Sequence, residues 1–104
     1  MKYTYMKSII KPQLINNKLL RYNLHITNNT NVLKSIMGWS KKYDNQFSWI
    51  SIYPDKNISL SVKIDSSHLD FDVKKNEIIL LKFPLDDIMI HTYDANLKIK
   101  LYEY

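Results

Sequence analysis

Three segments of the chain alternate apolar and polar residues at a strict period of two, and this pattern restricts the fold more than any other feature. Leu20, Tyr22, Leu24 and Ile26 are interleaved with Arg21, Asn23 and His25. Ile58, Leu60, Val62 and Ile64 alternate with Ser59, Ser61, Lys63 and Asp65, and Leu69, Phe71 and Val73 with His68, Asp70 and Asp72. Successive side chains of a strand point to opposite faces, so each segment reads as a strand with one face on a core and one in water.

The remaining segments fit around these three. Lys2–Ile10 is a weaker strand, with Tyr3, Tyr5 and Ile9 sharing a face with Lys7 before Pro12 closes it. Phe47–Tyr53 is aromatic and β-branched, with Phe47, Trp49 and Tyr53 on one face and Ser48, Ile50 and Ile52 on the other. That aromatic face is either core or an exposed protein-binding patch. Ile78–Phe83 is apolar at every position but Lys82, which predicts a strand in the sheet interior. Pro84 interrupts it, and Ile88–Tyr93 and Leu97–Tyr102 follow. Pro54-Asp55-Lys56-Asn57 and Asp94-Ala95-Asn96 are turn-forming, so hairpins are expected over 47–64 and 88–102. Between these strands, Asn28–Asn31 offers capping side chains and Val32, Leu33, Ile36 and Met37 recur at helical spacing. A helix is predicted over about 31–42, unless Gly38 stops it early. The sum is an α+β fold: a β-rich antiparallel sheet of about six to seven strands, joined by hairpins, with one helix near residues 31–42.

At 104 residues with no repeat or linker, the chain is expected to form a single domain, 1–104. Zero cysteines exclude disulfides, thiolate zinc sites and cysteine nucleophiles, and suit a reducing compartment. Lys2, Thr4, Lys7 and Ser8 break up the N-terminal apolar residues, and the longest aliphatic run is Ile78–Leu81, far short of the ~20 residues of a membrane span. A soluble protein of the host-cell cytoplasm is therefore expected. A single glycine excludes glycine-rich phosphate loops, so no nucleotide-dependent chemistry and no cofactor are expected. One Ala and one Arg stand against fourteen Lys, fourteen Ile and ten Asn, the usage of an A/T-rich genome such as a low-GC bacterium, its phages or plasmids, or a large DNA virus.

Charge is divided along the chain. Residues 1–43 contain eight basic side chains and no acidic one, a local charge of +8, whereas residues 44–104 hold seven lysines and ten acids, leaving −3. One sign of charge over so long a stretch attracts polyanions or acidic protein surfaces. The candidate contact residues are Lys2, Tyr3, Tyr5, Lys7, Lys11, Arg21, Lys34, Trp39, Lys41, Lys42 and Tyr43, in which aromatic rings interleave with cations as in surfaces that stack unpaired bases. Lys34, Lys41 and Lys42 fall close to one face of the predicted helix. Near-absence of arginine argues against reading a base sequence, because bidentate base contacts favour its planar fork.

Motifs for catalysis are missing. His25, His68 and His91 have no metal-ligand spacing, so no metal is expected, and Asp70 and Asp72, which with Asp65 or His68 have the donors for a hard cation, read instead as a solvated edge. Asp86-Asp87 reads as turn chemistry. A metal-independent ribonuclease would need two histidines brought together, with His25, His91 and Arg21 the set to test. The combined expectation is a small non-enzymatic basic binding protein: a phage or mobile-element inhibitor, of the anti-CRISPR type, that blocks a host nucleic-acid-handling complex. The partner is then an acidic protein surface or nucleoprotein complex, with no membrane involved. The alternative is a module that binds single-stranded nucleic acid directly.

Overall fold

Strands divide between two antiparallel sheets in this computed structural model, which describes residues 5–8, 19–37 and 46–103, the backbone alone for 5–8 and Met37. They are β1 (Tyr5–Ser8), β2 (Leu19–Ile26), β3 (Thr30–Asn31), β4 (Phe47–Pro54), β5 (Ile58–Ile64), β6 (Ser67–Val73), β7 (Ile78–Lys82), β8 (Asp87–Ile90) and β9 (Ala95–Glu103), with helix α1 (Val32–Met37) after β3. One sheet has the order β1-β7-β4-β9-β2 and the other β3-β8-β5-β6. The expected mostly antiparallel β architecture with one helix is present, but as nine described strands in two sheets instead of six or seven in one.

Both hairpins anticipated at the proline and asparagine turns are absent. β4 belongs to the five-stranded sheet and β5 to the four-stranded one; β8 and β9 are divided in the same way. The reason lies in what the turns bond to. Asp55 N–H donates to the Asn96 carbonyl at 3.0 Å, which ties the chain after β4 to β9 instead of folding it back as a hairpin. After β8, the His91 N–H goes to Ser59 O at 2.9 Å and the Asp94 N–H to Ile26 O at 2.6 Å, carrying the chain from one sheet to the other. The tight hairpin that does form is β5–β6, turning at Asp65-Ser66 with Ile64 opposite Ser67. With one glycine in the chain, the left-handed turn positions fall to short polar residues, Asp65 (φ 53°), Asn76 (φ 67°) and Asp94 (φ 57°), the types that tolerate that region best.

The core lies between the sheets. Ile50, Ile52, Ile79, Leu81, Ile99 and Leu101 come from one side and Leu60, Val62, Ile88 and Ile90 from the other, with Val32 and Leu33 of α1, all buried in one cluster. Fully burying such a side chain contributes about 1.5–3 kcal/mol. β7 is interior to its sheet, as its apolar run requires: Ile79 and Leu81 enter the core while Ile78 and Leu80 are buried on the opposite face. α1 occupies Val32–Met37 of the expected 31–42 span; Asn31 Oδ1 caps it by accepting the Lys34 N–H at 3.3 Å, and the rest of that span lies outside the described residues.

A bulge in β4 corrects the reading of its faces. Phe47 pairs with Glu103 and Trp49 with Tyr102, so Ser48 is the extra residue and shifts the alternation by one. Phe47 therefore joins Ile50 and Ile52 in the core, its ring 6.2 Å from that of Phe83, instead of sharing a face with Trp49 and Tyr53. Ser48 is buried, and its hydroxyl donates to Tyr102 O at 3.1 Å. No helix among the described residues is long and apolar enough to cross a membrane.

Candidate binding surface

Residues directly opposite in an antiparallel ladder share a face, so the register defines which residues each sheet turns away from the core. On the five-stranded sheet, Arg21 stands opposite Lys100, which stands opposite Ser51; Asn23 stands opposite Lys98, which stands opposite Tyr53; His25 stands opposite Asn96. Tyr102, Trp49 and Lys82 form the row beyond Arg21. This outward face carries four cations, Arg21, Lys82, Lys98 and Lys100, and no Asp or Glu at its described positions. Arg21, Lys82 and Lys98 are exposed and Lys100 half-buried.

Its aromatic residues are withdrawn from solvent. Tyr102 is 4 % exposed, Trp49 is half-buried with the Lys82 ammonium 5.9 Å from its ring centroid, and half-buried Tyr53 donates its hydroxyl to Asn76 Oδ1 at 2.9 Å. The one strongly exposed aromatic among the described residues, Tyr93, belongs to the β8–β9 connection and not to a strand of this sheet. The surface is thus equipped to contact carboxylates or phosphates rather than to stack bases.

The four-stranded sheet presents the opposite sign. Asp70, Asp72 and Asp87 lie on its outward face with Lys63 and His68. Their carboxylates are engaged by neighbouring strands: Ser59 Oγ donates to Asp72 Oδ1 at 2.9 Å, Ser61 Oγ to Asp70 Oδ1 at 2.6 Å, and the Asn31 amide to Asp87. Asp86 accepts the Asp65 N–H at 2.7 Å and pins the β5–β6 turn, the structural role expected of the Asp86-Asp87 pair.

Ser61, His91 and Asp70 bring together the residue types of a hydrolase triad, but in an order that cannot work as one. Ser61 Oγ lies 2.8 Å from His91 Nε2 and 2.6 Å from Asp70. The hydroxyl has one proton, and a carboxylate can only accept it, so the imidazole nitrogen facing Ser61 must be the donor. A general base needs the reverse arrangement. His25, the other histidine of the ribonuclease set, hangs from β2 on the other sheet, with Nδ1 2.7 Å from Asn96 Oδ1. Arg21 shares its face; His91 does not.

At the His25 end of the basic face is a pocket of about 680 Å³. Asp55, Asn96 and His25 form a hydrogen-bonded chain along it. Asn96 donates its backbone N–H and its side-chain amide to the two Asp55 oxygens, each at 2.9 Å, and presents its Oδ1 to His25. The backbone N–H of Asn96, and next its amide, hold the Asp55 carboxyl below its ordinary value of 3.8.

Of the contact residues expected from sequence, Arg21 and Lys34 are described with side chains, both exposed, one on the basic sheet face and the other on α1. Tyr5 and Lys7 occupy β1, at register positions opposite Leu81 and Ile79. Lys2, Tyr3, Lys11, Trp39, Lys41, Lys42 and Tyr43 lie outside the described residues. Sequence reasoning missed Lys82, Lys98 and Lys100, which belong to the acid-bearing half and join Arg21 through the sheet, and the Asp55–Asn96–His25 chain, whose members are 41 and 71 positions apart. Among the described residues, no group of three or more His, Cys, Asp or Glu is placed to hold a metal ion. No family model matches the chain, and no curated protein or solved structure matches it.

Proposed function

We propose that this is a non-enzymatic binding protein that occupies an acidic surface of a larger partner through the outward face of its five-stranded sheet. The observation that carries the reading is the concentration of Arg21, Lys82, Lys98 and Lys100 on one face with no described carboxylate among them. A basic face raises the local potential and steers association with a surface of opposite sign. The withdrawal of Tyr102 and Trp49 favours carboxylate or phosphate contacts over single-strand stacking. Blockade of a nucleic-acid-handling complex is the action proposed, with the basic face meeting an acidic protein surface or the exposed phosphates of that complex; the A/T-rich residue usage fits a phage or mobile-element origin.

The test is affinity capture from a low-GC bacterial lysate with and without nuclease. A stoichiometric protein partner that survives nuclease supports the proposal. Retention of nucleic acid alone, lost on digestion and weakening with salt at a slope of several phosphates, replaces it with direct nucleic-acid binding.

A further inference from the structure

We infer that the pocket at the His25 end of the basic face binds a phosphomonoester of mononucleotide size. This goes beyond the docking face, since Lys75, Asn76 and Tyr53, which build much of the pocket, are not among that face's exposed cations. Its volume of about 680 Å³ lies inside the usual range for small-ligand sites, about 300–1,000 Å³. Leu24, Pro54 and Leu97 border it from the core-facing positions of their strands, and the half-buried Tyr53 side chain lies on the pocket's own face. Lys98 of β9 and Lys75 of the β6–β7 turn line the same space and bring cations from two separate elements.

Hydrogen-bond directions fix what the polar groups present. An ionised carboxylate only accepts, so the end of the Asn96 side chain facing Asp55 is its NH2 and the end facing His25 is its oxygen. His25 Nδ1 must then carry a proton, which leaves Nε2 of the neutral ring as an acceptor, suited to a hydroxyl of the ligand and not to its phosphate oxygens. Tyr53 donates to Asn76 Oδ1, so Asn76 presents its amide NH2 as a donor. Both Asp55 oxygens accept from Asn96, which engages the one carboxylate of the pocket and uses it to set the polarity of the chain leading to His25. Two ammonium groups and an amide donor exceed what one carboxylate, already engaged by Asn96, can accept. They match a phosphomonoester, which carries about −1.5 to −2 charge and three acceptor oxygens.

The experiment titrates the protein with adenosine and uridine 5′-monophosphates, and with the two nucleosides, followed by amide NMR. Saturable shifts at His25, Asn76 and Asn96 with a monophosphate but not its nucleoside are expected. Lys98→Ala and Lys75→Ala should each raise Kd about tenfold, the effect of losing one charge-assisted contact, while Arg21→Ala, outside the pocket, should change it less than about twofold. Melting temperatures of the variants establish that they fold. Nucleosides binding as well as monophosphates, Arg21→Ala weakening binding as much as Lys98→Ala, or no saturable shift with either nucleotide would overturn the assignment. A 5′-phosphorylated oligonucleotide that binds more tightly than the mononucleotide assigns the site to a strand end; equal or weaker binding assigns it to the free nucleotide. Ring-nitrogen NMR gives a readout independent of ligand: neutral His25 protonated at Nε2 instead of Nδ1 would contradict the Asp55–Asn96–His25 chain.

Discussion

The outward faces of the two sheets are produced by the same two-residue period, yet they differ in the sign of the charge they gather. On the four-stranded sheet each of Asp70, Asp72 and Asp87 receives a hydrogen bond from Ser61, Ser59 or Asn31 on a neighbouring strand. On the five-stranded sheet Arg21 faces Lys100, and Lys98 faces Asn23 and Tyr53, with no carboxylate in those rows. Like charges directly opposite disfavour pairing, so a fold that concentrates cations on one face gives up some stability there. The acidic face carries hydrogen-bond donors beside its carboxylates, whereas the basic face gathers cations from β2, β7 and β9.

Several substitutions bear on this contrast. The largest effect is expected where both faces share support: Phe47→Ala empties a fully buried site between the sheets and should cost about 3–5 kcal/mol in denaturant unfolding. A cost under about 1 kcal/mol would mean that the Ser48 bulge does not deliver Phe47 to the core. Next is Ser61→Ala, which removes a donor from the acidic face and should cost about 0.5–1.5 kcal/mol while leaving partner binding unchanged. Impaired binding in that variant would extend the interface to the wrong sheet.

The smallest effect is at Asp55. Its carboxyl is held below 3.8 by the Asn96 backbone N–H and then the amide, so the folded state favours the ionised form. That contribution is present above the unfolded value and is lost as pH falls through the lower folded one. The melting-temperature gap between the wild type and Asp55→Asn should therefore narrow as pH drops below 3.8. A gap independent of pH would show that the Asp55 charge is not what holds Asn96.

The elements were legible in sequence where one face is core and the other wet: β2, β5 and β6 fall within a few residues of the alternating segments. Their pairing was not. A period of two specifies that a strand has two faces but not which sheet it enters, so the turns at 54–57 and 94–96 read as hairpins although the strands on either side of each enter opposite sheets. One inserted residue, Ser48, was enough to misassign Phe47. The acid-free first half drew attention to Arg21, but the face it belongs to takes three lysines from the other half, because β9 lies between β2 and β4, and β4 lies next to β7. Composition along a chain reports spatial charge only when neighbours in space are neighbours in sequence, and here they are not.

The most direct test of the account compares two charge reversals in the same capture and affinity measurement: Arg21→Glu with Lys98→Glu on the basic face, and Asp70→Lys with Asp72→Lys on the acidic one. Partner affinity is expected to fall by at least about tenfold, or 1.4 kcal/mol, for the first pair and to stay within about twofold for the second. Equal losses from both pairs, or a loss confined to the acidic face, would contradict the assignment of binding to the five-stranded sheet.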